Sequence, residues 1–186
     1  MVNHLRNFFS GHDSSIVPAP GPVEALLPGF HVVVIGPGPR TGLWTYASLG
    51  ASCIETGEHG IEFFVLAPEP EDAHVELIAM VAHYHATPTA NYRLGLGHTV
   101  KIGRPWLPGS TCWNLLVSLP YPFGPELERC AVPGGHAQLL WLLPITGEEL
   151  HFKKEHGLDA LEQEFDAAAV EFWKSLRKSV VPRGQE

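Results

Sequence analysis

Basic residues are scarce in this sequence: twelve lysines and arginines stand against twenty aspartates and glutamates, a formal charge of −8. That balance repels phosphate backbones and anionic lipid, and argues against a nucleic-acid or membrane-surface partner. Charge of either sign is sparse, 17% of residues against roughly 25% in an average domain. Cysteine is scarcer still. Cys53, Cys112 and Cys130 are odd in number and lack C-x-x-C spacing, so neither a disulfide framework nor a cysteine zinc site is indicated. Reduced, buried thiols are expected, with Cys53 and Cys112 in apolar strand runs that disfavour a thiolate. No apolar run approaches the roughly 18 residues of a membrane span, and the opening MVNHLRNFFSGHDSS has no apolar stretch of signal-peptide length. The expected location is cytoplasmic.

What the sequence does contain is core material. At 186 residues, 45% of them hydrophobic, the chain can build one domain, and five tryptophans and nine phenylalanines exclude general disorder. Nineteen glycines and seventeen prolines imply many turns and few long helices. Residues 1–21 carry a short apolar patch and then SSIVPAPGP, whose prolines predict a lead-in without regular structure. The domain is expected over 22–178, followed by a tail at 179–186.

Within it, PVEALL fits one or two helical turns, and PGFHVVVIG, residues 43–53 and residues 60–67 read as strands, the last two joined by a polar ETGEHG turn. Val75, Ile78, Val81, Ala82 and His85 recur at helical spacing behind an acidic first turn, which predicts a helix at about 70–86. HTVKIG and CWNLLVSLP read as strands, and YPFGPELERCAVPGG as a proline-rich loop. HAQLLWLLPI suits a strand buried on both faces. Two helices close the chain, 147–156 and about 159–178, the second with Leu161, Phe165, Phe172, Trp173 and Leu176 on one stripe. Strands interrupted by helices without regular alternation predict an α+β fold, a mixed and mostly antiparallel sheet packed with a central helix and C-terminal helices.

Candidate chemistry is thin. In ITGEELHF, Thr146, Glu148, Glu149 and His151 could suggest an acid and base cluster, but Thr146 followed three residues later by Glu149 is the spacing of a capping box. Adjacent helical carboxylates point about 100° apart and do not face one substrate. GPGPRTG has Thr41 where a dinucleotide fingerprint needs glycine, and its prolines lack the N–H groups that hold phosphate, so it reads as a turn. Eleven histidines include no H-E-x-x-H; His83, His85 and His98 are weak metal candidates, with His59 and His136 as possible company. No G-x-S-x-G elbow marks a nucleophile.

Taken together, Trp44, Tyr46, Ser48 and Gly50 in W-x-Y-x-S-x-G, Glu62 in the following G-I-E, the helix ending at Tyr84, the GHTV segment, and the apolar strand that runs into EEL and His151 resemble the suppressor-of-fused (SUFU) domain over about residues 30–166. The resemblance is to the compact bacterial single-domain form. It implies a non-catalytic protein-binding module without cofactors, whose partner is a protein or extended peptide; for bacterial members it implies an immunity protein that neutralises a toxin, and the charge of −8 suits a basic one. It also places Tyr84 at the end of the central helix in the peptide groove, with Gly97 beside His98 where animal members have an aspartate. A second reading from another class is a small metal-dependent hydrolase using the histidines, and a third is a homodimer formed through an apolar strand edge.

Overall fold

The computed structural model describes residues 1–19, 21–54, 59–87, 93–132 and 135–182. Its contacts divide the chain into two compact units, residues 1–96 with 118–142, and residues 97–117 with 143–186. Among the described residues there are six α-helices and eight strands, and the strands pair antiparallel in every described ladder but one, the mixed α+β class that the sequence predicts. No described helix is long and apolar enough to cross a membrane.

The first unit opens with α1 (Val2–Phe8), β1 (Ser14–Pro18) and α2 (Val23–Leu26), where the sequence predicts no regular structure before residue 22. Leu5 is fully buried, Phe8 and Phe9 meet edge to face at 5.0 Å, and His4 Nε2 donates to Leu127 O at 3.0 Å. Apolar burial thus holds a helix too short to persist alone. β1 pairs antiparallel with β2 (His31–Ile35), register Ser14↔Ile35 to Pro18↔His31, and Pro18 is tolerated because β1 lies at the end of the described strand order.

From β2 the sheet continues to β3 (Trp44–Leu49) and, past a 3-10 turn at Ala51–Ile54, to β4 (His59–Ala67), all antiparallel. The strand predicted over 43–53 stops at Leu49 because Gly50 turns with φ +115°, and Cys53 is exposed on the 3-10 turn rather than buried in a strand. Residues 55–58 of the predicted hairpin turn lie outside the described residues.

The central helix, α3 (Asp72–Ala86), buries Val75, Ile78, Val81, Ala82 and His85 as its periodicity predicts. Later in the chain come β5 (Thr99–Lys101) and β6 (Asn114–Ser118), which form an antiparallel pair. The stretch read as a loop at 120–136 instead carries α4 (Pro125–Glu128) and β7 (Arg129–Val132). Four residues are too few for a strand pattern; pairing of Arg129–Val132 with β8 (Gly135–Ile145) makes the strand. β8 also runs parallel to β4, register His59↔His136 to Phe64↔Trp141, the one parallel ladder described. Phe64 stacks on Trp141 at 6.0 Å, and Phe123 bridges Phe64 and Phe9.

In the second unit, the β5 and β6 pair is joined by α5 (Gly147–His156) and α6 (Leu158–Ala167). Buried Cys112, Leu115, Leu116, Ile145, Leu161 and Phe165 supply its core. The last helix ends at Ala167, eleven residues before its predicted end at 178, and Ala169 adopts φ +47°, off the helical path. Leu176, expected on the apolar stripe, is 78% exposed.

Candidate functional site

Strand β3 places Trp44, Tyr46 and Ser48 on one face by its period of two. Trp44 lies across Gly36, just past the end of β2, where an added Cβ would stand 3.7 Å from the indole. Tyr46 Oη accepts the Glu71 N–H at 3.1 Å at the start of α3, and its ring meets His74 at 5.1 Å. Burial pushes the Tyr46 phenol up against the lowering effect of that hydrogen bond, so it stays protonated.

Ser48 Oγ donates to Glu62 Oε2 at 2.5 Å and accepts the Phe63 N–H at 2.8 Å. Glu62, 1% exposed, takes four further hydrogen bonds, from the N–H groups of Gly50, Ala51 and Ser52 and from Ser52 Oγ. A buried carboxylate is tolerable when fixed donors replace its water, and the 3-10 turn at 51–54 supplies them. This set is an internal frame: it ties β3, β4 and the turn between them.

The second buried carboxylate is Glu149. Thr146 Oγ1 accepts the Glu149 N–H at 3.2 Å and Glu149 Oε2 accepts the Thr146 N–H at 2.9 Å, so the predicted capping box forms. The sequence reading missed its other partner. Arg177 Nη1 and Nη2 donate to the two Glu149 oxygens at 2.6 and 2.7 Å, Nη2 also reaches Pro144 O, and the Val180 N–H donates to Glu149 Oε1. No local pattern links positions 28 apart. Burial lowers the Arg177 pKa less than Glu149 raises it, so the net direction is up, while burial lifts the nearby Cys112 thiol and keeps it protonated. His151 pairs with Glu155 on the solvent side of α5 at 3.2 Å.

Of the metal candidates, His85 is buried beside Phe63 and its Nδ1 accepts the Leu94 N–H at 3.0 Å; desolvation, helped by Arg93, lowers its pKa to about 4. His83, two residues earlier, is only partly buried on another face of α3, and His98 lies exposed in the second unit. His59 and His136 are opposite in the β4 and β8 register. Among the described residues no three His, Cys, Asp or Glu side chains are grouped to hold a metal ion.

Tyr84 is 44% exposed at the end of α3. Gly97 is buried with φ +79°, donates its N–H to Val117 O at 2.8 Å, and faces Leu158 at 3.4 Å from where a Cβ would be. His98 O accepts the Val117 N–H at 2.9 Å, so the pair extends the β5 and β6 ladder.

One concave surface in the first unit was not foreseen. Between β1, β2 and β3 and the first turns of α3 runs a groove of about 490 Å³, with Val17, Val34 and Trp44 on its floor and Glu71, Asp72 and Glu76 on its wall. A second hollow of about 310 Å³ shares Glu76 and continues between α2 and α3 past Met80 to His83.

The model of the suppressor of fused protein family (SUFU) matches residues 28–178. This chain belongs to the suppressor of fused family. Among solved structures it is similar to a SUFU homologue from Neisseria gonorrhoeae, with 33% identity and a TM-score of 0.84 over 98% of this chain and 96% of that one. A chain of the Sufu–Fu complex shares the fold at 13% identity and a TM-score of 0.62, covering 88% of this chain and 81% of that one. Drosophila Suppressor of Fused does so at 13% identity and 0.65, with 96% of this chain covering half of the fly protein. No curated protein matches the sequence. Within this SUFU-family chain Ser48, Gly50 and Glu62 form an internal hydrogen-bonding frame.

Proposed function

We propose that this SUFU-family protein is a non-catalytic binding module, and that its partner is a basic toxin which it neutralises in the cytoplasm. The observation that carries the reading is membership of a family with one member solved in a Sufu–Fu complex. Two features of the chain agree with it. Glu62 and Glu149, the deeply buried carboxylates, are engaged by internal donors rather than turned toward a substrate. The charge of −8 favours rapid encounter with a cationic partner. Tyr84 on the first unit and His98 on the second are the side chains we propose to touch the partner, with Gly97 shaping the backbone ahead of His98.

The test is affinity capture from the native lysate with the purified protein as bait, followed by stoichiometry of the complex and co-expression of the captured protein in a heterologous host. A one-to-one complex, association that slows with salt, and growth rescue on co-expression are the expected results. Failure to retain any protein sinks the binding reading; a partner that is harmless alone sinks the toxin reading only.

A further inference from the structure

We infer that the groove between β1 and the start of α3 receives an extended, basic segment of the protein partner, which adds as a strand to the outer edge of β1. The inference rests on the binding reading above and adds to it a further surface, with the backbone conformation and side-chain pattern of the segment that would occupy it.

β1 stands at the end of the described strand order, and Gly36 N–H donates to Asp13 O at 2.9 Å just beyond the register pair Ser14↔Ile35. In an antiparallel ladder bonded and non-bonded pairs alternate. Asp13, Ser15 and Val17 therefore turn their backbone groups toward β2, while Ser14 and Ile16 turn N–H and C=O outward. The N–H that Pro18 lacks also falls on the outward side, so its C=O remains as an acceptor and the inner ladder loses nothing. An incoming strand meets two donors and three acceptors.

The groove beside that edge selects the strand's side chains. Its floor takes apolar groups on Val17, Val34 and Trp44, and its wall is acidic, Glu71, Asp72 and Glu76 all being exposed. Among the described residues, no lysine or arginine lines it. Asp72 and Glu76 are four residues apart on a helix, about 6 Å of rise; alternate residues of a strand are about 6.7 Å apart. A strand added to β1 with cations at every second position, on the face that carries Ser15 and Val17, can thus address both carboxylates. The same acidity disfavours a second copy of this chain and any phosphate-bearing polymer.

The probe is a fluorescein-labelled heptapeptide alternating lysine and valine, titrated against the full chain by fluorescence anisotropy. Its controls are a glutamate and valine counterpart and a lysine peptide N-methylated at the amides of one edge. We expect each control to bind at least about tenfold more weakly, the equivalent of roughly one net hydrogen bond or more. Asp72→Asn with Glu76→Gln should cost a similar factor. Ile16→Pro removes an outward N–H and spares the inner ladder; it should weaken the peptide about tenfold, with the circular-dichroism melt showing the variant folded. Equal binding of the lysine and glutamate peptides, no binding, or indifference to these substitutions overturns the proposal, as does dimerisation of the chain through β1 in sedimentation. The captured partner is then titrated against the same variants. Unchanged affinity would reject this groove and leave the binding module intact, whereas absence of any partner would reject the module itself.

Discussion

Ser48 Oγ lies 2.5 Å from Glu62 Oε2 and at the same time accepts the Phe63 N–H at 2.8 Å, so one hydroxyl serves both a buried carboxylate and the strand that carries it. Ser48→Ala therefore strands a buried N–H and takes one of five donors from Glu62. The expected loss is about 1–3 kcal/mol, read as a lower urea midpoint at unchanged m value. A midpoint equal to wild type would show that the other four donors suffice. Glu62→Gln is expected to cost more, because an amide turns a donating NH2 toward Ser52 or Gly50, both of which already donate.

His85 makes the fold sensitive to acid. Its pKa in the folded chain, about 4, lies below the ordinary 6.5 because burial disfavours the imidazolium and Arg93 adds to this. The unfolded chain binds the proton first. Stability from this group is complete above pH 6.5 and drains as pH falls toward 4, by about 3 kcal/mol at about 1.4 kcal/mol per pH unit. Urea titrations at pH 7, 5.5 and 4 on wild type and His85→Asn should show a steeper loss in wild type. Asparagine offers an acceptor to the Leu94 N–H without a titrating ring. Parallel pH profiles would remove His85 as the cause.

How much of this was legible in the sequence follows the range of the forces. α3 and α5 carry their own signals, a repeat of apolar residues behind acids in one and a Thr146 and Glu149 box in the other, and both were read from them. β8 announced its burial through an unbroken apolar run. β1 and β7 exist because a neighbouring strand pairs with them, and α1 because Phe8 and Phe9 find Phe123; none of these contacts is local. Conversely, residues 168–176 have helical composition, yet Phe172 folds back edge to face on Phe165 and Arg177 turns in to Glu149. For the candidate site, Trp44 and Tyr46 were picked out by motif, but the groove they help to line needed β1, which the prolines had hidden.

Gly38 illustrates a glycine required by packing. His12 donates from Nδ1 to Gly36 O at 2.7 Å and accepts the Arg40 N–H at Nε2, which places its ring flat beneath the GPGPRTG turn. A Cβ on Gly38 would stand 2.6 Å from that ring. Gly38→Ala should displace the imidazole and cost about 1–3 kcal/mol as an overpacking change; His12→Ala in the same background should recover part of it, since the obstruction is gone. Thermal melts of the two single variants and the double variant test this. A single Gly38→Ala variant as stable as wild type would mean that the turn moves aside freely.

The Arg177 and Glu149 pair holds the end of the second unit. Both side chains are almost wholly buried, 6% and 0% exposed, and the guanidinium meets the carboxylate with two parallel bonds. Removing one partner leaves an uncompensated buried charge, so Arg177→Met and Glu149→Gln should each lose about 3–5 kcal/mol. The losses should not add, because the second substitution removes the charge that the first left stranded. Glu149→Gln is expected to be the worse of the two, since Glu149 also accepts from Thr146 and Val180 and its loss loosens the cap of α5. Limited proteolysis discriminates further: Arg177→Met should expose cleavage after Lys174 or Lys178 while leaving α5 protected in hydrogen exchange, whereas Glu149→Gln should expose both. Additive losses in the double variant would mean that the tail is held by Phe172 on Phe165 and that the ion pair contributes little to it.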